Sequence, residues 1–288
     1  MTDSDQADNQ DDEQAKAQGG PLAILFPADP LVWREARKIA TDQNARVESL
    51  STIAVQDPVI VMDLLRISNA MYFAGGRSPI TSPKTAIVRL GSDVVLDTLE
   101  KLAERDPIDD PDVLKWFEKH RSRCKRSGII ARLLAEAIAR NLNDDCQAAG
   151  CLLGVGEMLA VLHLREKYVE LAEEHARSGV NYRLAQNHSF DVDKMGLNYL
   201  RRYGIPEALL FAIDREARSR SQERAIMKPL CLAAGELVDA FDNNRWEKLA
   251  PGKKLAPKSS LRMLQLNDSQ YLKIYERASE YLFSARMQ

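Results

Sequence analysis

The chain has 288 residues, 45% of them apolar and 28% charged, and its formal net charge is −2. That is ordinary for a soluble globular protein and enough for one large domain or two smaller ones with a sizeable core. The charge is unevenly placed: residues 1–20 hold six Asp/Glu and one Lys, or −5, which leaves only +3 on the rest and excludes an argument for nucleic acid from bulk charge.

Residues 1–20 contain almost nothing to bury and read as a disordered acidic tail. They lack the basic start and apolar run of a secretory signal. The stretch 21–33, PLAILFPADPLVW, is too short and too broken by proline to span a bilayer, and the apolar run 151–164 is short and interrupted by Glu157. A cytoplasmic protein with no membrane partner is therefore expected.

Between 57 and 91 the chain reads DPVIVMDLLRISNAMYFAGGRSPITSPKTAIVRLG. Asp57 and Pro58 predict a helix start, because the carboxylate can accept from early N–H groups and proline fits the first turn. Gly75-Gly76 predicts its end. Ser82-Pro83 predicts a second start, and Gly91 its left-handed C-terminal residue. Asn69, near the end of the first helix, is placed to donate to a helix carbonyl and to accept from the Ile80–Ser82 loop. The order Asp57, Pro58, Leu64-Leu65-Arg66, Asn69, Phe73, Ile80, Ser82, Ala86-Ile87 and Leu90-Gly91 closely resembles the HDOD domain, a regulatory all-α module of bacterial signalling proteins. Asn69-Ala70 departs from the family's usual Asn-Ser.

Further on, Ser92 can cap a helix carrying Val95, Leu99 and Leu102. The stretch 103–112, AERDPIDDPD, with two prolines and five acids, is the candidate linker. Apolar or small residues from Val113 to Ile138 recur at alternating steps of four and three, which predicts one helix of nearly thirty residues, with Gly128 as its weak point. Its segment 115–126 carries six Lys/Arg and one Glu. Lys119, Arg121, Arg123, Lys125 and Arg126 are read first as a solvated face, and alternatively as a patch for an acidic partner, for nucleic acid or for the chain's own tail. Asn143-Asp144 predicts the start of the helix bearing the 151–164 run, and Gly179 the end of another. Asp191 predicts the start of a helix ending before Gly204, with Val192, Met195, Tyr199 and Tyr203 inward. Helices are also expected after Pro206, over 222–242, and at 261–264 and 269–284, with a basic loop at 243–260. No strand is predicted.

Cys124, Cys146, Cys151 and Cys231 form no CxxC pair and are expected to be reduced core thiols, with Cys124, flanked by basic residues, as the one candidate for reactivity. Among the histidines, His120 lies on the apolar face of the long helix, His175 near a helix C-terminus, and His163 and His188 lack ligand spacing. There is no Walker loop, GxGxxG unit or GxSxG elbow, and no cofactor is expected.

The second half resembles the HD phosphohydrolase fold, in which a His-Asp dipeptide, a further His and a further Asp hold metal. No histidine here is followed by aspartate. The stretch AAGCLLGVGEML resembles the family's AGLLHDIGKLVL, so Leu153 and Gly154 stand in the His-Asp slots, with Gly150 and Gly156 retained. Val192 stands where FDVDKMGLNYL would carry another histidine, and Arg123-Cys124 stand in a His-Ser pair. Leu153 and Val192 would either plug the former pocket or line a small ligand pocket.

The resemblance implies an all-α fold, with a helical subdomain at 21–106 and a metal-free HD-like subdomain at 107–288 that includes a C-terminal extension. It implies a non-catalytic interaction module that works through unidentified signalling proteins. The rivals are a divergent metal phosphohydrolase and a nucleotide or nucleic-acid binder using the basic helix. The acidic tail is expected to screen that helix transiently.

Overall fold

The structure is a computed structural model that describes residues 20–42, 44–72, 78–218, 221–257 and 259–284. Among these residues there are helices and turns and no strand. The acidic tail up to residue 19, Phe73 and the Gly75-Gly76 turn lie outside the described residues.

The N-terminal half holds α1 (Pro30–Thr41), α2 (Val47–Ala54), α3 (Pro58–Tyr72) and α4 (Pro83–Ala103). Asp29 caps α1 by accepting from Leu31 N at 2.8 Å, and Pro30 occupies its first turn. Asp57 caps α3 in the same way, accepting from Val59 N at 2.8 Å. Its second oxygen accepts from Asp29 N at 2.6 Å, so one buried carboxylate ties two helix starts together. Ser82 caps α4 through Thr85 N at 3.2 Å. Within α4, Gly91 has φ 72° and ψ 167°, a backbone conformation available essentially to glycine, and it breaks the helix into two arms. The expected stop at Gly91 and restart at Ser92 are both seen.

The second half is built on α5 (Pro111–Ile138). Asp110 and Pro111 start it, and it runs unbroken through Gly128. It packs against α6 (Asn143–Cys151), α7 (Val155–Leu164), α8 (Glu166–Glu174), α12 (Met227–Asp242) and α14 (Asp268–Ser284). The glycine at 128 is required by proximity: a Cβ there would lie 2.2 Å from Cys151 Sγ, and one at Gly150 would lie 2.8 Å from Ser127 O. The remaining helices are α9 (Arg177–Asn187), α10 (Val192–Tyr203), α11 (Glu207–Ile213) and α13 (Ser260–Met263). Asp191 caps α10 through Lys194 N at 3.0 Å, and Gly204, at φ 91°, ends it.

Two sequence expectations are corrected. The apolar run 151–164 is not one helix, since a turn over 152–154 separates α6 from α7. The span 140–164 is apolar enough in composition to cross a membrane, but 78% of its most apolar window is buried within the fold. Gly179 does not end a helix; it lies in the first turn of α9, after α8 has stopped at Glu174.

The two halves share one core. Phe26, ahead of α1, is fully buried and stacks on Tyr199 of α10 at 4.9 Å and edge-on to Phe117 of α5 at 5.7 Å. Tyr199 Oη donates to Ile24 O at 2.9 Å. From the α3–α4 side, Asp63, 1% exposed, receives Arg66 at 2.6 Å, Arg105 at 2.6 Å and the Tyr203 hydroxyl at 2.9 Å.

Candidate functional site

The positions expected to carry metal ligands do converge, around the turn between α6 and α7. Leu153, Gly156 and Val192 line one cavity of about 350 Å³, and Leu153 and Arg123 line a second of about 640 Å³. The chemistry at these positions is apolar or backbone. Val192, 4% exposed, sits on Gly156: a Cβ at 156 would lie 2.1 Å from Val192 O and 3.0 Å from its Cγ1. Gly196 approaches Gly156 equally closely, its added Cβ lying 2.8 Å from Gly156 Cα. This is where α7 and α10 cross. Gly154 faces α5, where a Cβ would meet Cys124 Sγ at 2.8 Å and Arg123 Nη1 at 3.4 Å. So Val192 packs into the crossing, Leu153 lines both cavities, and an aspartate at 154 would have to displace the Cys124 thiol.

Charge at this place is carried by a cluster that the motif comparison does not reveal. Glu157 of α7, 1% exposed, is gripped by Arg177 of α9 through Nε at 2.8 Å and through Nη2. Arg177 Nη1 donates to Asp239 of α12 at 2.9 Å and 3.1 Å. Arg123 of α5 donates its Nε to the same carboxylate at 3.0 Å. Two guanidinium groups and two carboxylates thus join four helices with no net charge. Burial pushes the Glu157 carboxyl up, but Arg177, Arg123 and His120 outweigh it and hold it down at about 2. Beside it, His120 is 3% exposed, and its Nε2 lies 2.6 Å from Tyr168 Oη. Burial pushes the imidazole down to about 3, Glu157 opposing and the nearby cations adding to the fall. His120 is therefore neutral in the fold.

A metal does not fit this donor set. Among the described residues no group of three His, Cys, Asp or Glu side chains could hold one. The buried Glu157 and the partly exposed Asp239 are already paired with arginine, and a fixed guanidinium repels a cation.

The basic stretch of α5 forms the solvated face expected of it only in part, with Lys115 and Lys119 exposed. Arg121 is 3% and Arg123 6% exposed. Arg121 donates to Pro27 O and, at 2.9 Å, to Glu118, which pins the segment before α1 onto α5. Arg126 pairs with Asp242, Lys125 is half-buried, and Lys119 lies 3.9 Å over the Trp116 ring. Arg121, Arg123 and Arg126 are thus engaged by other elements, whereas Lys115 and Lys119 are exposed; the tail expected to screen this helix lies outside the described residues. Cys124 is likewise corrected as a reactive candidate: it is fully buried, and burial pushes its thiol up to about 12. The other three cysteines are also buried and free.

The N-terminal motif residues are structural in their contacts. Asn69, 2% exposed, donates to Leu65 O at 2.7 Å and Ile80 O at 2.9 Å and accepts from Ile80 N at 2.9 Å, the bridge expected from its position. Arg66 pairs with Asp63 and lies over the Tyr203 ring at 5.3 Å. Pro58 is buried in the first turn of α3. The sequence reading missed Asp63, Arg105, Arg177 and Asp239. Only Glu157 left a local signal, as an acid inside an apolar run, where burial demands a partner.

No curated protein sequence matches the chain. Among solved structures, the MmoQ response regulator of Methylococcus capsulatus str. Bath superposes with a TM-score of 0.69 at 16% identity, covering 88% of this chain and 99% of that one. A virulence factor of Campylobacter jejuni subsp. jejuni gives a TM-score of 0.65 at 14% identity, covering 91% of this chain and 94% of its own. Both share the fold. The family model described as HDOD domain matches residues 26–218, about two thirds of the sequence and both halves of the shared core. The chain belongs to the HDOD domain family.

Proposed function

We propose that this chain is a non-catalytic regulatory module of bacterial signal transduction, acting in the cytoplasm by binding other signalling proteins rather than by turning over a substrate. The observation that carries the reading is the closure of the ligand positions. Gly154 abuts Cys124 and Arg123, Val192 packs on Gly156, and the nearest carboxylates are neutralised by Arg123 and Arg177. Hydrolysis of a phosphoester in an HD-type fold needs a cation that acidifies water, and these residues offer it no seat. What remains is a rigid helical scaffold, suited to presenting surface to a partner.

Two measurements test the proposal. The full chain, incubated with Mn²⁺ or Mg²⁺ and p-nitrophenyl phosphate or a cyclic dinucleotide, is expected to release no product above the no-protein rate. Affinity capture from the native bacterium is expected to recover a defined signalling protein. Metal-dependent turnover lost in Glu157→Gln would instead support the divergent hydrolase.

A further inference from the structure

The larger cavity beside the former metal positions has features that a scaffold role does not use. It has a volume of about 640 Å³, within the range of small-molecule sites. It lies between α5, α9, α12 and the segment from Arg245 to Ala256, with Ser259 and Ser260 at the start of α13. Six cations line it: Arg123, Arg177, Arg215, Arg245, Lys248 and Lys254. The lining carboxylates are three, Asp193, Glu236 and Asp239. All three are already engaged: Asp239 by Arg123 and Arg177, Asp193 by Arg215 at 3.6 Å, and Glu236 by Ser260 N at 2.8 Å. Counting Glu157, which pairs with Arg177 from behind, an excess of two cations remains. Among the described residues Arg245, Lys248 and Lys254 have no ion-pair partner, and all three are exposed at the rim.

Two buried polar groups on this lining also lack a partner. Arg123 is 6% exposed, and its Nη1 makes no hydrogen bond. Ser259, across the cavity on the 245–260 side, is 5% exposed, and its hydroxyl makes none either. A buried donor without a partner is costly, more so when charged, so two on one cavity are unexpected in a purely structural lining. Two glycines lie beside this guanidinium: a Cβ at Gly154 would be 3.4 Å from Arg123 Nη1, and one at Gly235 would be 3.9 Å from Nη2, so no side chain stands between it and either backbone.

We propose that this cavity binds a phosphorylated small molecule of nucleotide size. A phosphate carries more charge and more acceptor oxygens than a carboxylate, and it suits a buried guanidinium edge backed by a hydroxyl and several unpaired cations. The volume exceeds what a lone phosphate fills, and Leu232, Leu249 and Leu255 supply apolar wall for a ring. The site involves no catalysis and does not depend on the signalling role.

The test is isothermal titration of the full chain at low salt with inorganic pyrophosphate, GTP and citrate as probes. GTP is expected to bind saturably, one per chain and below about 1 mM, pyrophosphate more weakly, and citrate not at all. The double variant Lys248→Ala, Lys254→Ala changes only exposed side chains and should weaken GTP binding by about tenfold or more. Ser259→Ala should weaken it several-fold without lowering the thermal midpoint, because the hydroxyl it removes pairs with nothing in the free protein. Absence of saturable binding, binding unchanged in both variants, or citrate binding as tightly as GTP would each overturn the assignment.

Discussion

Asn69 and His120 show how single polar side chains are handled when they are placed in the core. Asn69 satisfies one amide with three backbone bonds across the α3–α4 connection. Asn69→Leu leaves Ile80 N and two carbonyls without that partner, and it should lower stability by about 1–3 kcal/mol in urea unfolding. Unchanged unfolding with loss of partner capture would make Asn69 a recognition residue instead. His120 and Glu157 predict a pH dependence with one sign. Each binds fewer protons in the fold than in the unfolded chain: about 3 against 6.5 for His120, and about 2 against 4.5 for Glu157. Their contribution is therefore fully present above pH 6.5 and is lost as pH falls, first through His120 and then, below 4.5, through Glu157 as well. By pH 4.5 the His120 share of the loss is about 3 kcal/mol. Urea midpoints measured against pH should show this fall, and His120→Gln should flatten the limb between pH 6.5 and 4.5. A wild-type midpoint constant over that limb would contradict a neutral buried imidazole.

At the level of elements, legibility followed locality. The starts of α3, α4 and α10 could be read because an Asp or Ser beside the first turn satisfies its own neighbours, and the length of α5 because its apolar face repeats without interruption. Gly179 and the turn at 152–154 could not. A glycine inside the first turn of a helix looks like one after the last, and the 152–154 break falls inside an apolar run, where Gly154 lies against Cys124 of α5. The basic stretch of α5 misled for the same reason: Asp239 and Asp242 lie 116 residues away from Arg123 and Arg126 in sequence. Asp63 is the strongest case of an unreadable joint, linking α3 to Arg105 beyond α4 and to Tyr203 of α10. Asp63→Ala would strand Arg105 in the interior, and it should cost about 3–5 kcal/mol and uncouple the two halves. Thermal unfolding monitored by calorimetry is expected to show a lower midpoint. A midpoint within a degree or so of wild type would mean that Arg105 finds water instead.

For the whole molecule, the family resemblance located the site, and the physics of the site had to come from the structure. Leu153, Gly154, Gly156 and Val192 could be identified as replaced ligand positions from sequence alone. The salt-bridge cluster that fills the gap draws on α5, α7, α9 and α12, and no spacing rule links them. The central claim is that the metal ligands are replaced and the remaining carboxylates are neutralised by arginine. It is tested most directly by elemental analysis of the full chain after expression with added manganese, iron and zinc, followed by mild chelation. The account predicts far less than one metal per chain, for wild type and for Leu153→His, Gly154→Asp alike, since the added aspartate would have to displace the Cys124 thiol and would lie beside the Arg123 guanidinium. About one or more metals per wild-type chain, retained through chelation, would contradict it.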